Sequence, residues 1–208
     1  MNVSELLRIS PVMPVVVIDD AALAVPLARA LVSGGVGVME ITLRTSAALE
    51  SIRAIAREVP EISVGAGTIL NTRDLQQARE AGASFGISPG STPELLSAGR
   101  DGDWPYLPGA MTPSDVMAAV AAGYSTLKFF PAAQAGGVPM LKALAGPFPK
   151  VMFCPTGGIS LATAPDFLAL VNVSCVGGSW LTPADRIKAQ DWAAITQLAR
   201  DVCSLRST

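Results

Sequence analysis

The stretch VGVMEITLRTSAALESIRAIAREVPEISVGAGTI (36–69) holds two textures in one line. A short run, VGVMEITL (36–43), mixes β-branched residues with glycine. It gives way to an alanine-rich segment, Thr45 to Val59, whose apolar residues recur at helical spacing. A second short apolar run, ISVGAGTI (62–69), follows Pro60. Apolar runs of this length that alternate with helical segments imply parallel strands joined by crossover helices. The same unit recurs in both directions. MPVVVID (13–19) precedes the helical AALAVPLARALVSGG (21–35), and the 62–69 run precedes Asn71 to Gly82, with Asn71 as its N-cap. SFGISPG (84–90) leads into Thr92 to Gly99. WPYLPGA (104–110) leads into Thr112 to Gly123, where Thr112 caps and Pro113 takes the first helical position. STLKFFPA (125–132), KVMFCPTGG (150–158) and VSCVGGSW (173–180) each precede a further helical part, the last ending near Leu205. These make about eight strand–helix units, and eight imply closure of a parallel sheet into a (β/α)8 TIM barrel. The expected fold is therefore α/β, a single-domain barrel over residues 1–208. An open doubly wound sheet is the alternative. It would call for GxGxxG after the first strand, but the first turn, VIDDAA (17–22), has no glycine.

Composition narrows the chemistry. Half of the 208 residues are hydrophobic (50%), charged residues make up 15%, and the net charge is −2. No basic block invites nucleic acid or an anionic membrane surface, and no apolar run reaches the roughly 18 residues of a membrane span. The low charged fraction fits a surface partly closed by self-association. The cysteines, Cys154, Cys175 and Cys203, are odd in number and widely spaced. They suggest neither a disulfide framework nor a zinc site and fit a reducing cytoplasm. MNVSELLRIS (1–10) has no basic stretch followed by an apolar one, so no signal peptide is expected. The chain has 0 histidines, which removes Ser-His-Asp and Cys-His nucleophiles and leaves Glu, Asp, Lys, Tyr, Cys or water for proton transfer.

Active sites of such barrels lie at the C-terminal ends of the strands, and side chains alternate along each strand. In VGVMEITLR, Glu40, Thr42 and Arg44 share one face, while Met39, Ile41 and Leu43 take the helix-facing one. In TLKFFPA (126–132), Thr126, Lys128 and Phe130 share the face opposite Leu127 and Phe129. An amine directed into the interior loses water, which disfavours its charged form, and a neutral amine can form a Schiff base with a carbonyl. A purely structural Glu40–Lys128 or Glu40–arginine salt bridge, or a lysine that snorkels outward, would account for the same pattern. In ISVGAGTIL, Gly65 and Gly67 leave space on one face, and Thr68 at the strand end offers a hydroxyl to an anion. Glycine pairs end the last two strands, Gly157-Gly158 and Gly177-Gly178, with Ser179 following. Loops after strands seven and eight are the usual phosphate site of a barrel. An amine, a neighbouring carboxylate, an arginine and a phosphate pocket together describe Schiff-base chemistry on a phosphorylated oxo-acid, with no metal or cofactor required.

The segments GGVGVMEITLRT (34–45), VGAGTIL (64–70), ISPG (87–90), LPG (107–109), KFFPA (128–132), FCPTGGIS (153–160) and GGSWLTPAD (177–185) resemble the 2-keto-3-deoxy-6-phosphogluconate aldolase and 4-hydroxy-2-oxoglutarate aldolase family, over nearly the whole chain. The resemblance implies a homotrimeric, cytoplasmic class I aldolase of the Entner–Doudoroff pathway that releases pyruvate and glyceraldehyde 3-phosphate. It implies Lys128 as the Schiff-base lysine and Glu40 as general acid and base. Arg44 and Thr68 would hold the pyruvate carboxylate, Pro89 and Phe130 would line the imine, and Thr156 would sit by the reacting hydroxyl. Gly157, Gly158, Gly178 and Ser179 would bind phosphate. The chain departs from the family pattern KFFPAE at Ala133 and from PGIST at Ala110-Met111. Three acceptors stay open: the phosphorylated six-carbon acid, its galactonate epimer and the unphosphorylated hydroxy-oxoglutarate. A non-catalytic sugar-phosphate-binding barrel is the alternative from another class.

Overall fold

Side-chain parity along short parallel strands organises the computed structural model, which describes residues 1–101 and 104–206. The first half runs α1 (Val3–Leu6), β1 (Val12–Val16), α2 (Ala24–Ser33), β2 (Val38–Thr42), α3 (Ala48–Glu58), β3 (Ser63–Gly67), α4 (Thr72–Glu80), β4 (Gly86–Ile87) and α5 (Pro93–Arg100). The second half runs β5 (Tyr106–Leu107), β6 (Gly109–Ala110), α6 (Pro113–Ala121), β7 (Thr126–Phe129), α7 (Gly137–Ala145), β8 (Met152–Pro155), α8 (Ala164–Leu168), β9 (Val176–Gly178), α9 (Ala184–Lys188) and α10 (Trp192–Cys203). The strands form a six-stranded sheet, ordered β5-β4-β3-β2-β1-β9, and a three-stranded sheet, β6-β7-β8. Every strand pairing within the two sheets is parallel. This is an α/β fold built on a curled parallel sheet.

The two sheets meet at two seams. At one, β5 and β6 are consecutive pieces separated by Pro108, which has no N–H to give to a ladder. The Pro108 carbonyl still accepts from the Lys128 N–H at 2.9 Å. At the other, the isolated parallel bridges Phe153↔Val173 and Thr156↔Gly177 tie the β8 segment to the β9 segment. The sequence led us to expect one strand over 104–110, and proline chemistry accounts for its division.

Parity sorts the apolar residues into two cores. Met39, Ile41, Leu127, Phe129 and Phe153 join helix residues such as Leu27, Ile52 and Leu141 in the larger one. Residues of the opposite parity, Met13, Val38, Phe85, Ile87, Leu107, Cys154 and Cys175, make a smaller cluster on the inner face, together with Leu6 and Leu7. These two leucines, fully buried, come from the end of α1, and each contributes about 1.5–3 kcal/mol of burial. The α1 helix is pinned by a reciprocal Asn2–Glu5 capping box.

Most helix starts follow the expected chemistry. Asn71, Thr92 and Thr112 accept from Asp74, Leu95 and Asp115 backbone N–H groups, and Pro93 and Pro113 open their helices. Helix α3 begins at Ala48, later than the expected Thr45, whose hydroxyl instead donates to the Ile18 carbonyl and ties the β2–α3 turn to the end of β1. The last helical part divides into α9 and α10 around Gln190, which has φ +53°, with Asp191 capping α10. No described helix is long and apolar enough to cross a membrane.

Tyr106 is buried and Tyr124 is half-buried beside it. Tyr106 donates to Ser88 Oγ at 2.7 Å, Tyr124 donates to the Leu96 carbonyl at 2.8 Å, and their rings meet edge to face at 6.0 Å. Burial pushes both phenols up to about 12 from the ordinary 10.0. A raised native value means that the unfolded chain loses its phenolic protons first. This contribution to stability is therefore fully present below pH 10 and disappears as the pH approaches 12. An ultraviolet difference titration should show no phenolate until that window, with cooperative alkaline unfolding inside it. Titration of either tyrosine at the ordinary value in the folded protein would contradict the packing described.

Candidate active site

The inner face carries a buried ion pair. Strand β2 supplies Glu40 and β7 supplies Lys128, which face each other although the strands are not sheet neighbours. Lys128 Nζ donates to Glu40 Oε1 at 3.1 Å and lies 3.4 Å from Oε2. The side chains are only 6% and 2% exposed. Phe130, the next residue of that parity, places its ring centroid 5.4 Å from the same nitrogen. Replacing such a buried pair by apolar residues is often neutral or stabilising, so stability alone is a poor reason to keep it.

Beside the amine lies a cavity of about 210 Å³ lined by Arg44, Lys128, Phe130, Thr156, Gly157, Gly158 and Ser179. Gly177 and three residues that sequence reading did not single out, Val15, Val17 and Ile159, complete the wall. Arg44 stands at the exit of β2, where its Nε donates to Thr68 Oγ1 at 3.3 Å. Thr68 has φ +59°, a left-handed conformation unusual for a residue other than glycine. This conformation sets the hydroxyl beside the guanidinium. Glu40 is buried against Lys128 and does not itself line the cavity.

The far wall is backbone. Gly157 (φ +102°) and Gly158 (φ +72°) follow β8 in conformations that L side chains rarely adopt. The β7–α7 segment ties to them, with the Ala132 and Ala133 N–H groups donating to the Thr156 and Gly157 carbonyls at 2.8 and 3.0 Å. Within β9, Gly177 faces the interior, where a Cβ would overlap the Thr156 side chain. Gly178 faces the other way, against the Trp180 ring. Of the pair, Gly177 lines the cavity, and the alternation rule applied from Cys175 identifies it as the inward member. Pro89 lies off the cavity wall. Its backbone packs against Gly109, which is the register partner of Lys128.

A larger cavity of about 570 Å³ lies beside the α1 segment, between Met1–Ser4 and Tyr106, Tyr124 and Arg100. It contains no amine–carboxylate pair, so chemistry rather than size picks out the smaller one. Among the described residues no group of three or more His, Cys, Asp or Glu could hold a metal. The smaller cavity offers a shielded amine beside a carboxylate, an arginine paired with a threonine hydroxyl, and a wall of glycines bare of side chains.

Known proteins match this chain along its length. The family model for KDPG and KHG aldolase matches residues 3–198. The KHG/KDPG aldolase of Escherichia coli (strain K12) is 53% identical over 200 residues, which is 96% of this chain and 94% of that protein. The 2-dehydro-3-deoxy-phosphogluconate aldolase of Zymomonas mobilis (strain ATCC 31821) is 46% identical over 205 residues, 99% of this chain and 97% of that one. The crystal structure of KDPG aldolase from Legionella pneumophila, with pyruvate captured at low pH as a covalent carbinolamine intermediate, superposes with a TM-score of 0.96. It is 45% identical and covers 98% of this chain and 99% of that one.

Removing one member of the ion pair strands the other without water. Lys128→Met should therefore destabilise the fold by about 3–5 kcal/mol in urea unfolding, and Lys128→Met/Glu40→Leu should recover most of that loss. Equal stability of the wild type and the single variant would mean that the two groups are not buried together.

Proposed function

Because the chain belongs to the KDPG and KHG aldolase family, we propose that it cleaves 2-keto-3-deoxy-6-phosphogluconate to pyruvate and glyceraldehyde 3-phosphate as a class I, Schiff-base lyase. The observation that carries this reading is the Lys128 amine, buried against Glu40 and facing the glycine-walled cavity. Lys128 attacks the C2 carbonyl, and the carbinolamine loses water to give the imine. The protonated imine accepts the electron pair of the C3–C4 bond as Glu40, directly or through a water molecule, takes the C4 hydroxyl proton. The aldehyde leaves, the enamine is reprotonated at C3, and hydrolysis returns pyruvate and the free amine.

The same reading assigns the rest of the site. Arg44, steadied by Thr68, holds the substrate carboxylate through its planar fork. Phe130 flanks the imine, Pro89 backs Gly109 beside Lys128, and Thr156 sits near the reacting hydroxyl. Gly157, Gly158, Gly178 and Ser179 bind phosphate, with Gly177 leaving room beside Thr156. The glycine conformers favour the phosphorylated substrate over 4-hydroxy-2-oxoglutarate, because an unphosphorylated chain would leave that wall without a ligand.

The architecture and setting belong to this proposal as well. The two sheets are arcs of one eight-stranded (β/α)8 barrel that spans residues 1–208 as a single domain. The Pro108 seam and the Thr156↔Gly177 bridge support that closure. The protein acts as a homotrimer in the cytoplasm. Exposed apolar side chains such as Met117 and Val171 favour self-association, and adjacent Cys154 and Cys175 thiols suit a reducing compartment.

Borohydride reduction in the presence of pyruvate should add one reduced pyruvyl group, confined to the peptide that bears Lys128, and Lys128→Ala should abolish both adduct and turnover. Full activity in that variant would overturn the reading. In an assay coupled to lactate dehydrogenase, EDTA should leave the rate unchanged, and the phosphorylated acid should give the higher kcat/KM than hydroxy-oxoglutarate. Inhibition by EDTA would indicate metal-dependent cleavage instead.

A further inference from the structure

We propose that Gly67, at the end of β3, is a positioning residue for the reaction: its missing side chain is the space that Glu40 occupies while it meets Lys128. This inference rests on the proposed role of Glu40. The register places Gly65 opposite Glu40 and Gly67 opposite Thr42, so Gly67 lies one inward step nearer the strand exit than Glu40's own partner. The Glu40 side chain extends along the inner face toward that exit. A Cβ built on Gly67 would overlap the Glu40 carboxylate, meeting Oε1, Cδ and Cγ together. Gly67 itself is buried, with strands β2 and β4 on either side of β3, so the backbone has little room to withdraw.

Gly65 answers a different demand. A Cβ there would meet the Phe85 ring, which belongs to the inner apolar cluster below the ion pair. The two inward glycines of β3 thus make room for different things, Gly65 for the core and Gly67 for the carboxylate. Gly67 keeps φ outside the left-handed region, so alanine is compatible with its backbone. The clash with Glu40 is then the main consequence of substitution. An added methyl pushes the carboxylate away from Oε1–Nζ contact while Arg44, Phe130 and the glycine wall stay in place.

The test is a double-mutant cycle between Gly67→Ala and Glu40→Asp, read in kinetics and thermal unfolding. Gly67→Ala should lower kcat on the phosphorylated acid by at least tenfold, with KM changed less than threefold, and should displace the limb of the pH–rate profile that belongs to the acid–base group. Pyruvate should still be trapped on Lys128 by borohydride. Shortening the carboxylate relieves the clash, so Gly67→Ala/Glu40→Asp should melt above Gly67→Ala and lose no more activity than Glu40→Asp alone. Gly34→Ala is the control, since its Cβ would collide with Ala199 between helices. It should lower the Tm without changing the kcat of the folded fraction.

Wild-type kcat in Gly67→Ala, or strictly additive losses in both readouts, would overturn the proposal. So would failure of the double variant to fold better if Gly67→Ala itself does not fold. The thermal cycle reports the contact without reference to turnover. Wild-type activity in Glu40→Asp and Glu40→Ala would overturn the acid–base role of Glu40, and with it the positioning role of Gly67, whatever the thermal cycle shows about their contact.

Discussion

The ion pair between Lys128 and Glu40 is the constraint to which the surrounding structure answers. Two charges inside a protein are tolerable only when each satisfies the other, because the desolvation cost is otherwise several kcal/mol per ion. Here the two come from β2 and β7, in different sheets and far apart in sequence. They meet only if both sheets curve around a common interior. The apolar cluster of Met13, Val38, Phe85, Ile87 and Leu107 fills the space beneath them, and Leu6 and Leu7 complete it. The pair thus sits at the boundary between a packed core and an open cavity, where an amine can be shielded and still be reached by a carbonyl.

Space around that pair is made by omission. Gly67 leaves room for the carboxylate, Gly65 for Phe85, and Gly177 for the Thr156 side chain. On the cavity's far wall the left-handed conformers of Gly157 and Gly158 leave backbone bare where a side chain would stand. Arg44 and Lys128 are the charged side chains lining the cavity, so a phosphate held at the glycine wall, as proposed, would be met by backbone N–H dipoles rather than by a second cation. Dipoles of this kind fix position without adding a long, mobile side chain whose rotamers would have to be frozen.

Legibility followed the length of the signal. Strands β2 and β3 and helices α4, α5 and α6 were readable because several residues repeat a period or a capping pattern in each. The helix α1 spans four residues, Val3–Leu6, too few for a period to declare itself, and its role in covering the inner core depends on contacts with distant strands. The division of the fifth strand turns on Pro108 alone. In the site, parity brought out Lys128, Glu40 and Arg44. The glycine pair after Val176 was legible as a pair, but that Gly177 meets Thr156 and Gly178 meets Trp180 depends on neighbours remote in sequence.

By itself the sequence determined the alternation of strands and helices, the inward parity of Glu40 and Lys128, and the absence of histidine chemistry. Each of these is local: a period, a cap or a residue count carries it without reference to the rest of the chain. Only the tertiary structure decided that the amine of Lys128 and the carboxylate of Glu40 lie 3.1 Å apart. It likewise decided that Thr68 turns its hydroxyl to Arg44, and that Gly67 must stay bare. These are distances between strands that are remote in sequence, and sheet curvature and register set them rather than any property of the neighbouring residues.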